Sequence, residues 1–290
     1  MNTRILVADH DPASRLTLVR IIEGLGHRVE QACDGFEALK ALRSPETPTI
    51  AIVDWMMPGL DGSRICHEVR SRDAQVYTYL LLVGDSRRPD DLIEGLNAGA
   101  DDFITRPIQS VELRARLHAA RRIVKLQDEL RRAHDYEWYR ATHDRATGAW
   151  NRDAFLEFVG RDIARSRRDG SPLSVAYVQL LDVIGLIERL GYSAGNALVK
   201  EAVQRCRERV RPYDIVGRFG GSALAISAPG CDEDCGRALL SRIVAHLQSS
   251  PVRYIDEYPP IPLTLRFNVV SLTPEDEDAE ALMRRVESFG

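Results

Sequence analysis

Several features of membrane proteins and nucleic-acid-binding proteins are missing from this sequence. Its 290 residues carry a formal net charge of −4, so there is no basic excess to bind DNA or RNA. No apolar run approaches the ~20 residues that cross a bilayer, and Asp9 and Asp11 stand where a signal peptide has its apolar core. We therefore expect a cytoplasmic protein that contacts neither nucleic acid nor membrane.

Cysteine is also scarce. The five cysteines are odd in number and scattered, which favours reduced thiols over a disulfide framework. Cys231 and Cys235 lie close together in GCDEDCG, but no second Cys/His pair completes a tetrahedral zinc site. We expect both to be free thiols.

The first half of the chain alternates short β-branched or leucine-rich runs with amphipathic segments. Strands are predicted over residues 4–8, 27–32, 49–54, 79–83 and 102–105, and a helix over residues 14–25. Several of these strands are apolar on both faces, which indicates a parallel sheet with helices on both sides. We predict a doubly wound α/β domain that ends near residue 120, with polar residues converging at the carboxyl edge of its sheet.

A charged, strongly helical stretch follows over residues 110–140. Within it Ile123, Leu126, Leu130 and Ala133 repeat at helical spacing, which favours a helix that forms a homodimer. In the alternative, this apolar face packs on its own domain.

The segment THDRATG at 142–148 breaks the helical pattern and begins a second domain. Strands are predicted over residues 172–181 and 262–272. Residues 214–229 read as a β-hairpin with Gly220 and Gly221 in its turn.

Three ordered motifs mark the first domain: VADHDP (7–12), VDWMMPGLDG (53–62) and GLNAGADDFITRPI (95–108). Together they resemble the CheY-like receiver domain of two-component response regulators, a likeness that covers residues 3–122. The resemblance implies that Asp54 accepts a phosphoryl group from a histidine kinase. It also implies an acidic, Mg²⁺-binding pocket and a switch region. The pocket would comprise Asp9, Asp54 and Met56, and the switch would comprise Phe103 and Arg106.

The receiver site departs from its family at three positions. His10 replaces the second acid, although Mg²⁺ prefers oxygen ligands. The hydroxyl position falls at Val83 or Gly84, and Arg106 replaces a lysine, keeping its charge but changing its geometry. Either Asp54 is phosphorylated, or this is a pseudo-receiver whose fold serves dimerisation or docking.

The second half carries HDRATGAWNRDAF (143–155), LLDVIGLIERLGYSAGNALVKEAV (180–203) and RFGGSAL (218–224). These segments resemble the GGDEF domain of diguanylate cyclases, which implies an α+β nucleotidyl-cyclase-like fold. The expected organisation is a receiver domain at 1–122, a linking helix at 110–140 and a degenerate GGDEF domain at 141–290.

The likeness is weakest at the catalytic positions. Gln179, Ser222 and Ala223 stand where active cyclases have the carboxylates that bind metal and help to deprotonate the 3′-hydroxyl. Other expected contact positions are also replaced, namely Ile184, Ile187, Asn196 and Leu224. Two nearby acids, Asp182 and Glu188, fall outside the register and are interpreted as solvated. We expect no cyclase activity.

An RxxD motif survives, formed by Arg211 and Asp214, five residues upstream of the paired glycines. In the family this motif binds the product, cyclic di-GMP. An arginine fork suits O6/N7 of guanine or a phosphate, and Asp214 can accept from guanine N1 and N2. A second arginine, Arg237 or Arg242, is a candidate to complete the site. In the alternative, Arg211 and Asp214 form a surface pair that caps the hairpin.

Three functional hypotheses follow. The first is a non-catalytic signalling protein that binds cyclic di-GMP and acts on an unidentified protein partner. The second is an interaction scaffold that binds no nucleotide. The third, which the substitutions disfavour, is an active diguanylate cyclase.

Overall fold

The computed structural model describes residues 3–72, 76–85, 89–253 and 259–288, with the side chains of 89–92 outside that description. The chain divides into two compact units, Met1–His134 and Asp135–Gly290. Each unit is considered by itself.

The first unit is a parallel sheet of strands in the order β2-β1-β3-β4-β5. Its elements are β1 Arg4–Ala8, α1 Pro12–Gly24, β2 Arg28–Ala32, α2 Gly35–Leu42, β3 Ile50–Asp54, α3 Gly62–Arg70, β4 Tyr79–Gly84, α4 Pro89–Asn97, β5 Asp102–Thr105 and α5 Ser110–Thr142. Separate hydrophobic clusters cover its two faces, one built with α1 and α5 and the other with α2 and α3. The predicted doubly wound α/β fold is confirmed.

Aspartates begin three of its helices. Asp11, Asp34 and Asp61 each accept a hydrogen bond from a backbone N–H in the first turn, at 2.8 Å. Such N-caps satisfy donors that a helix start leaves unpaired. The cap and Pro12 explain why α1 begins two residues before the predicted start at residue 14.

The long helix α5 spans 33 residues and passes from the first unit into the second. Leu113, Leu117 and Ala120 are buried against the sheet, whereas Ile123, Leu126, Leu130 and Ala133 are exposed. The alternative in which this apolar face packs on its own domain is therefore wrong. Dimerisation through the face stays a prediction. None of the helices in the described ranges combines the length and apolarity needed to cross a membrane.

The second unit contains an antiparallel sheet in the order β7-β8-β6-β9. Its elements are α6 Arg152–Asp169, β6 Leu173–Leu180, α7 Asp182–Leu190, α8 Tyr192–Arg207, β7 Ile215–Arg218, β8 Ala223–Pro229, α9 Glu233–Gln248, β9 Leu265–Ser271 and α10 Ala279–Glu287. Helices α8 and α9 pack on one face, and α6 and α10 on the other. The two predicted strands are confirmed as β6 and β9, each shorter than expected.

The predicted hairpin is confirmed as β7 and β8, but its turn differs from the expectation. The Phe219 N–H donates to the Ala223 carbonyl at 2.9 Å, which closes a four-residue loop. Gly220 and Gly221 are absent from the glycines with positive φ. The loop therefore does not use the left-handed two-residue turn that paired glycines favour.

The expectation of free thiols at Cys231 and Cys235 is wrong. The two residues form a disulfide, with Cα atoms 5.3 Å apart. Asp232 caps the start of α9, so Cys231 lies just before the helix and Cys235 lies in its first turn. The first turn of α9 thus brings together two cysteines that lie four residues apart in the sequence.

Close packing at Gly217 gives a prediction about stability. A Cβ at this position would lie 2.7 Å from Cδ2 of the fully buried Phe155. We expect Gly217→Ala to lower the free energy of unfolding by about 1–3 kcal/mol through overpacking. Gly221→Ala is the matched control, because an added Cβ there meets nothing within 4 Å. Urea denaturation of both variants measures the difference, and equal stabilities would contradict the packing argument.

Candidate functional site

One group of polar side chains meets at the carboxyl edge of the parallel sheet; we call Asp9, His10, Asp54 and Arg106 the receiver cluster. Asp9 and His10 follow β1, Asp54 ends β3, and Arg106 follows β5. Asp9 is 1% exposed and Asp54 is 5% exposed. The predicted convergence of Asp9, Asp54 and Arg106 is seen in the structure.

Two nitrogen-bearing side chains contact the Asp54 carboxylate. His10 Nδ1 lies 2.7 Å from Asp54 Oδ2, and Arg106 Nη2 lies 3.4 Å from Asp54 Oδ1. The same Nη2 donates to Asp9 Oδ2 at 2.7 Å, and Nη1 donates to Ser14 Oγ. His10 and Arg106 thus occupy positions around the two carboxylates that a cation would otherwise take.

The two aspartates respond differently to burial. Burial raises the pKa of Asp54, and the charge of Asp9 adds to this effect against the opposing hydrogen bond from His10. For Asp9, burial acts in the same direction, but hydrogen bonds from Arg106 and Ser14 outweigh it and lower its pKa. The ionised form of Asp9 is therefore stabilised as the partner of Arg106, whereas burial makes the ionised form of Asp54 less stable.

The remaining receiver positions lie beside this cluster. Val83 is buried and pairs with Asp54 in the sheet register. Phe103 is also buried, and a Cβ at Gly84 would lie 2.8 Å from its Cζ. The side chain of Met56 is 68% exposed. Neither Val83 nor Gly84 brings a side-chain hydroxyl toward Asp54.

The donor set of the receiver cluster is mixed. Ligand atoms of Asp9, His10 and Asp54 all lie within 4.8 Å of one another, close enough to share a cation. The imidazole supplies nitrogen where Mg²⁺ prefers oxygen, and the Arg106 guanidinium already neutralises Asp9. These residues fit Mg²⁺ poorly.

A second group lies at one end of the antiparallel sheet. Gln179 on β6 pairs with Ala223 on β8, and the Leu180 N–H donates to the Ser222 carbonyl at 2.9 Å. The three positions that the sequence analysis singled out are therefore neighbours. They bring together an amide, a hydroxyl and a methyl group.

Arg218 holds the hairpin loop closed, a role that the sequence analysis missed. Its guanidinium donates to Asp144 Oδ1 and to Asn196 Oδ1, both at 3.0 Å, and to the Gly221 carbonyl at 2.6 Å. Burial acts to raise the pKa of Asp144, but hydrogen bonds from Thr147 and Arg218 outweigh it and lower that pKa. Arg218 and Asp144 both stand in quoted motifs, and only tertiary contact reveals their pairing.

Asp182 keeps part of its surface in solvent but also makes a backbone contact that the sequence analysis did not predict. Its Oδ2 accepts a hydrogen bond from the Thr264 backbone N–H at 2.6 Å, tying the start of α7 to the segment before β9. Glu188 is exposed, as expected.

The RxxD motif forms a tight turn between α8 and β7. The Arg211 N–H donates to Asp214 Oδ2 at 2.8 Å, and Arg211 Nη1 donates to the Tyr213 hydroxyl at 3.1 Å. Asp214 Oδ1 is buried and has no hydrogen-bond partner among the described residues. Burial raises the pKa of Asp214, against the opposing influence of Arg211 and Arg242.

A cleft of about 310 Å³ opens beside this turn, and we call it the RxxD cleft. Its lining residues are Trp150, Arg207, Val210, Arg211, Pro212, Asp214 and Val216. Arg242 donates to the Arg209 carbonyl at 2.9 Å and acts electrostatically on Asp214. Arg237 instead binds Glu233 and Asp234 on its own helix and is not among the lining residues of the cleft.

Comparison with known proteins agrees with this two-part organisation. The family model for the response regulator receiver domain matches residues 5–118, and the model for the diguanylate cyclase GGDEF domain matches residues 141–289. The predicted order, receiver first and GGDEF domain second, is confirmed.

Curated relatives resemble the first part of the chain. The response regulator MprA of Mycobacterium ulcerans (strain Agy99) is 40% identical over 129 residues, covering 44% of this chain and 54% of that protein. MprA of Mycobacterium tuberculosis (strain ATCC 25618 / H37Rv) is 39% identical over 128 residues, with the same coverage. The chain thus spans about half the length of the curated relatives it matches.

Among solved structures, the coiled coil and GGDEF domain of DgcB from Caulobacter crescentus, in complex with c-di-GMP, is similar with a TM-score of 0.53. It is 20% identical and covers 62% of this chain and 92% of that chain. At this identity the likeness supports the fold alone.

Proposed function

We propose that this chain, which belongs to the diguanylate cyclase GGDEF-domain family, binds cyclic di-GMP at the RxxD cleft and does not synthesise it. The observation that carries the proposal is the buried, unpartnered Oδ1 of Asp214 beside the exposed Arg211. A buried acceptor without a donor costs about 1–3 kcal/mol, so a ligand that supplies a donor gains that amount.

The chemistry of the cleft suits a guanine base. Guanine presents N1–H and N2–H donors on one edge and O6 and N7 acceptors on another. Asp214 can take the donors, while Arg211, held by a single side-chain hydrogen bond to Tyr213, can turn to the acceptors or to a phosphate. Arg242 adds positive charge near the same carboxylate.

The absence of synthesis is supported at the sheet end that holds Gln179, Ser222 and Ala223. An amide, a hydroxyl and a methyl group are poor ligands for the hard cations that phosphoryl transfer employs. The nearby Asp182 is committed to the Thr264 backbone. These residues do not fit a catalytic Mg²⁺, so no catalytic step is derived through one.

For the first unit we propose a pseudo-receiver in which Arg106 pairs with both carboxylates and His10 contacts Asp54, without Mg²⁺. The exposed apolar face of α5 is the proposed homodimer contact. In this scheme an unidentified protein partner responds to whether cyclic di-GMP is bound. Phosphorylation of Asp54 by a histidine kinase has little effect on the chain.

The binding proposal is tested by calorimetry with cyclic di-GMP. We expect saturable binding to the wild type and a Kd about 10- to 100-fold weaker for Arg211→Ala, the scale of one lost charge-assisted contact. Arg237→Ala is the matched control, because that guanidinium is exposed and bound to its own helix. It should bind like the wild type.

Two outcomes would overturn the proposal. No heat from the wild type would favour a scaffold that binds no nucleotide. Formation of cyclic di-GMP from GTP and Mg²⁺, measured by chromatography beside an active cyclase, would refute the absence of synthesis.

A further inference from the structure

The RxxD cleft is lined in part by an aromatic residue to which the sequence analysis gave no role. Trp150 lines the cleft, and its backbone is fixed by two hydrogen bonds to β7. The Trp150 N–H donates to the Val216 carbonyl at 3.3 Å, and the Arg218 N–H donates to the Trp150 carbonyl at 2.8 Å. The indole is therefore held at a defined place beside the RxxD turn.

Other rings support the indole. The ring of His143 lies 4.1 Å from that of Trp150 between centroids, and Phe158 meets the indole edge-on at 4.6 Å. Trp150 is only partly buried and lines the cleft, so the residue keeps some surface that a ligand can contact. A fixed, partly exposed indole in a small cleft is a suitable surface for stacking a nucleobase.

These rings also connect the cleft to the last turns of α5. Tyr139 stacks on His143 with centroids 4.1 Å apart and planes 13° apart. Trp138 meets both Trp150 and His143 edge-on at 5.8 Å. A ligand in contact with Trp150 is thus one aromatic contact away from the helix that carries the proposed dimer face.

We propose that Trp150 stacks on the guanine base whose edge Arg211 and Asp214 hold, and that this contact transmits occupancy of the cleft to α5 through Trp138. The inference rests on the proposed binding of cyclic di-GMP. It adds a positioning surface for the base and a physical route to the helix. The cleft volume of about 310 Å³ is at the low end for ligand pockets and suits one base of the ligand.

The tryptophans provide the test, since the chain has three of them. Trp55 lies in the first unit, edge-on to Phe103, and serves as the control. Three proteins each retain one tryptophan: Trp55→Phe/Trp138→Phe reports on Trp150, Trp55→Phe/Trp150→Phe on Trp138, and Trp138→Phe/Trp150→Phe on Trp55. The Trp150→Phe change in the last two keeps an aromatic ring that can stack, so each protein is titrated with cyclic di-GMP to saturation at its own Kd, measured by calorimetry, while its emission is recorded.

The Trp150 reporter is expected to change its emission with the Kd that calorimetry measures. The Trp138 reporter should also change on saturation, and the Trp55 reporter should not. In the full chain, Trp150→Leu should weaken Kd by about 5- to 100-fold, the scale of one lost base–aromatic stack, while Trp150→Phe should lose less. Circular dichroism of each variant verifies that it folds.

The outcomes separate this inference from the proposed function. If calorimetry detects binding but the Trp150 reporter is silent and Trp150→Leu binds like the wild type, the stacking role is wrong and the proposed function stands. A responding Trp150 reporter with a silent Trp138 reporter overturns the transmission to α5. If the wild type binds no cyclic di-GMP, both proposals fail together.

Discussion

The His10→Asp/Val83→Thr/Arg106→Lys variant is expected to take a phosphoryl group on Asp54 from acetyl phosphate and Mg²⁺ at least about 10³-fold faster than the wild type. His10 and Arg106 now bind the Asp54 carboxylate themselves, and the aliphatic Val83 lies opposite it in the sheet. The three substitutions supply a second oxygen ligand, a hydroxyl and a compact ammonium in their place.

Intact mass spectrometry after timed incubation measures this rate. The same triple variant with Asp54→Asn added is the control, and it should remain unmodified because its nucleophile is gone. Rapid phosphorylation of the wild-type chain would contradict the pseudo-receiver, since it would mean that the cluster of Asp9, His10 and Arg106 functions as it stands.

Arg106→Ala is expected to lower the free energy of unfolding by about 3–5 kcal/mol at neutral pH. The guanidinium is the shared partner of Asp9 and Asp54, whose side chains are 1% and 6% exposed. Its removal leaves two buried carboxylates beside each other, and the contact of His10 with Asp54 and the hydrogen bond from the Asp11 N–H to Asp9 do not replace the lost positive charge. Arg64→Ala is the control: this side chain is 74% exposed and meets Asp61 at 3.7 Å, so the change should stay within about 1 kcal/mol.

The free energy of unfolding that Arg106→Ala loses should depend on pH in a definite direction. The lowered pKa of Asp9 adds stability that is present above its ordinary pKa and lost as the pH falls through the lowered value. The raised pKa of Asp54 means that ionising this side chain lowers the stability of the fold. That loss develops as the pH rises from the ordinary pKa through the raised value. Without Arg106 both carboxylates favour protonation, so the deficit should shrink as the pH falls from 7 toward about 4.

Urea denaturation at several pH values measures this trend, with Trp138→Phe/Trp150→Phe as the background so that the emission reports on Trp55 alone. Trp55 is suited to it because it packs edge-on against Phe103, close to the cluster. A deficit of the same size at both ends of the pH range would indicate lost packing of the arginine stem in place of lost charge.

Much of the fold could be predicted because its cause is local. Strand-like runs of four to six residues between amphipathic segments indicated the parallel sheet, and the ends of its strands indicated where Asp9, Asp54 and Arg106 would meet. The family motifs singled out Gln179, Ser222 and Ala223, whereas their meeting at one end of the antiparallel sheet is known only from the structure.

The missed features depend on contacts between distant segments. The hydrogen bond from Thr264 to Asp182, the unpartnered oxygen of Asp214 and the rings around Trp150 arise only when the second unit is assembled. The Cys231–Cys235 disulfide is local, but it depends on where α9 begins, and helix ends are the least certain feature of a sequence pattern.

The contacts of Arg218 bear on how this chain could evolve. Its guanidinium binds Asn196, one of the replaced contact positions, together with Asp144 and the Gly221 carbonyl. A mutation of Asn196 to an acid would place a new carboxylate beside this arginine, where the two would form an ion pair. That single step would strengthen the closed loop without restoring a ligand for a metal, so selection for stability would favour the closed loop over the return of an enzyme.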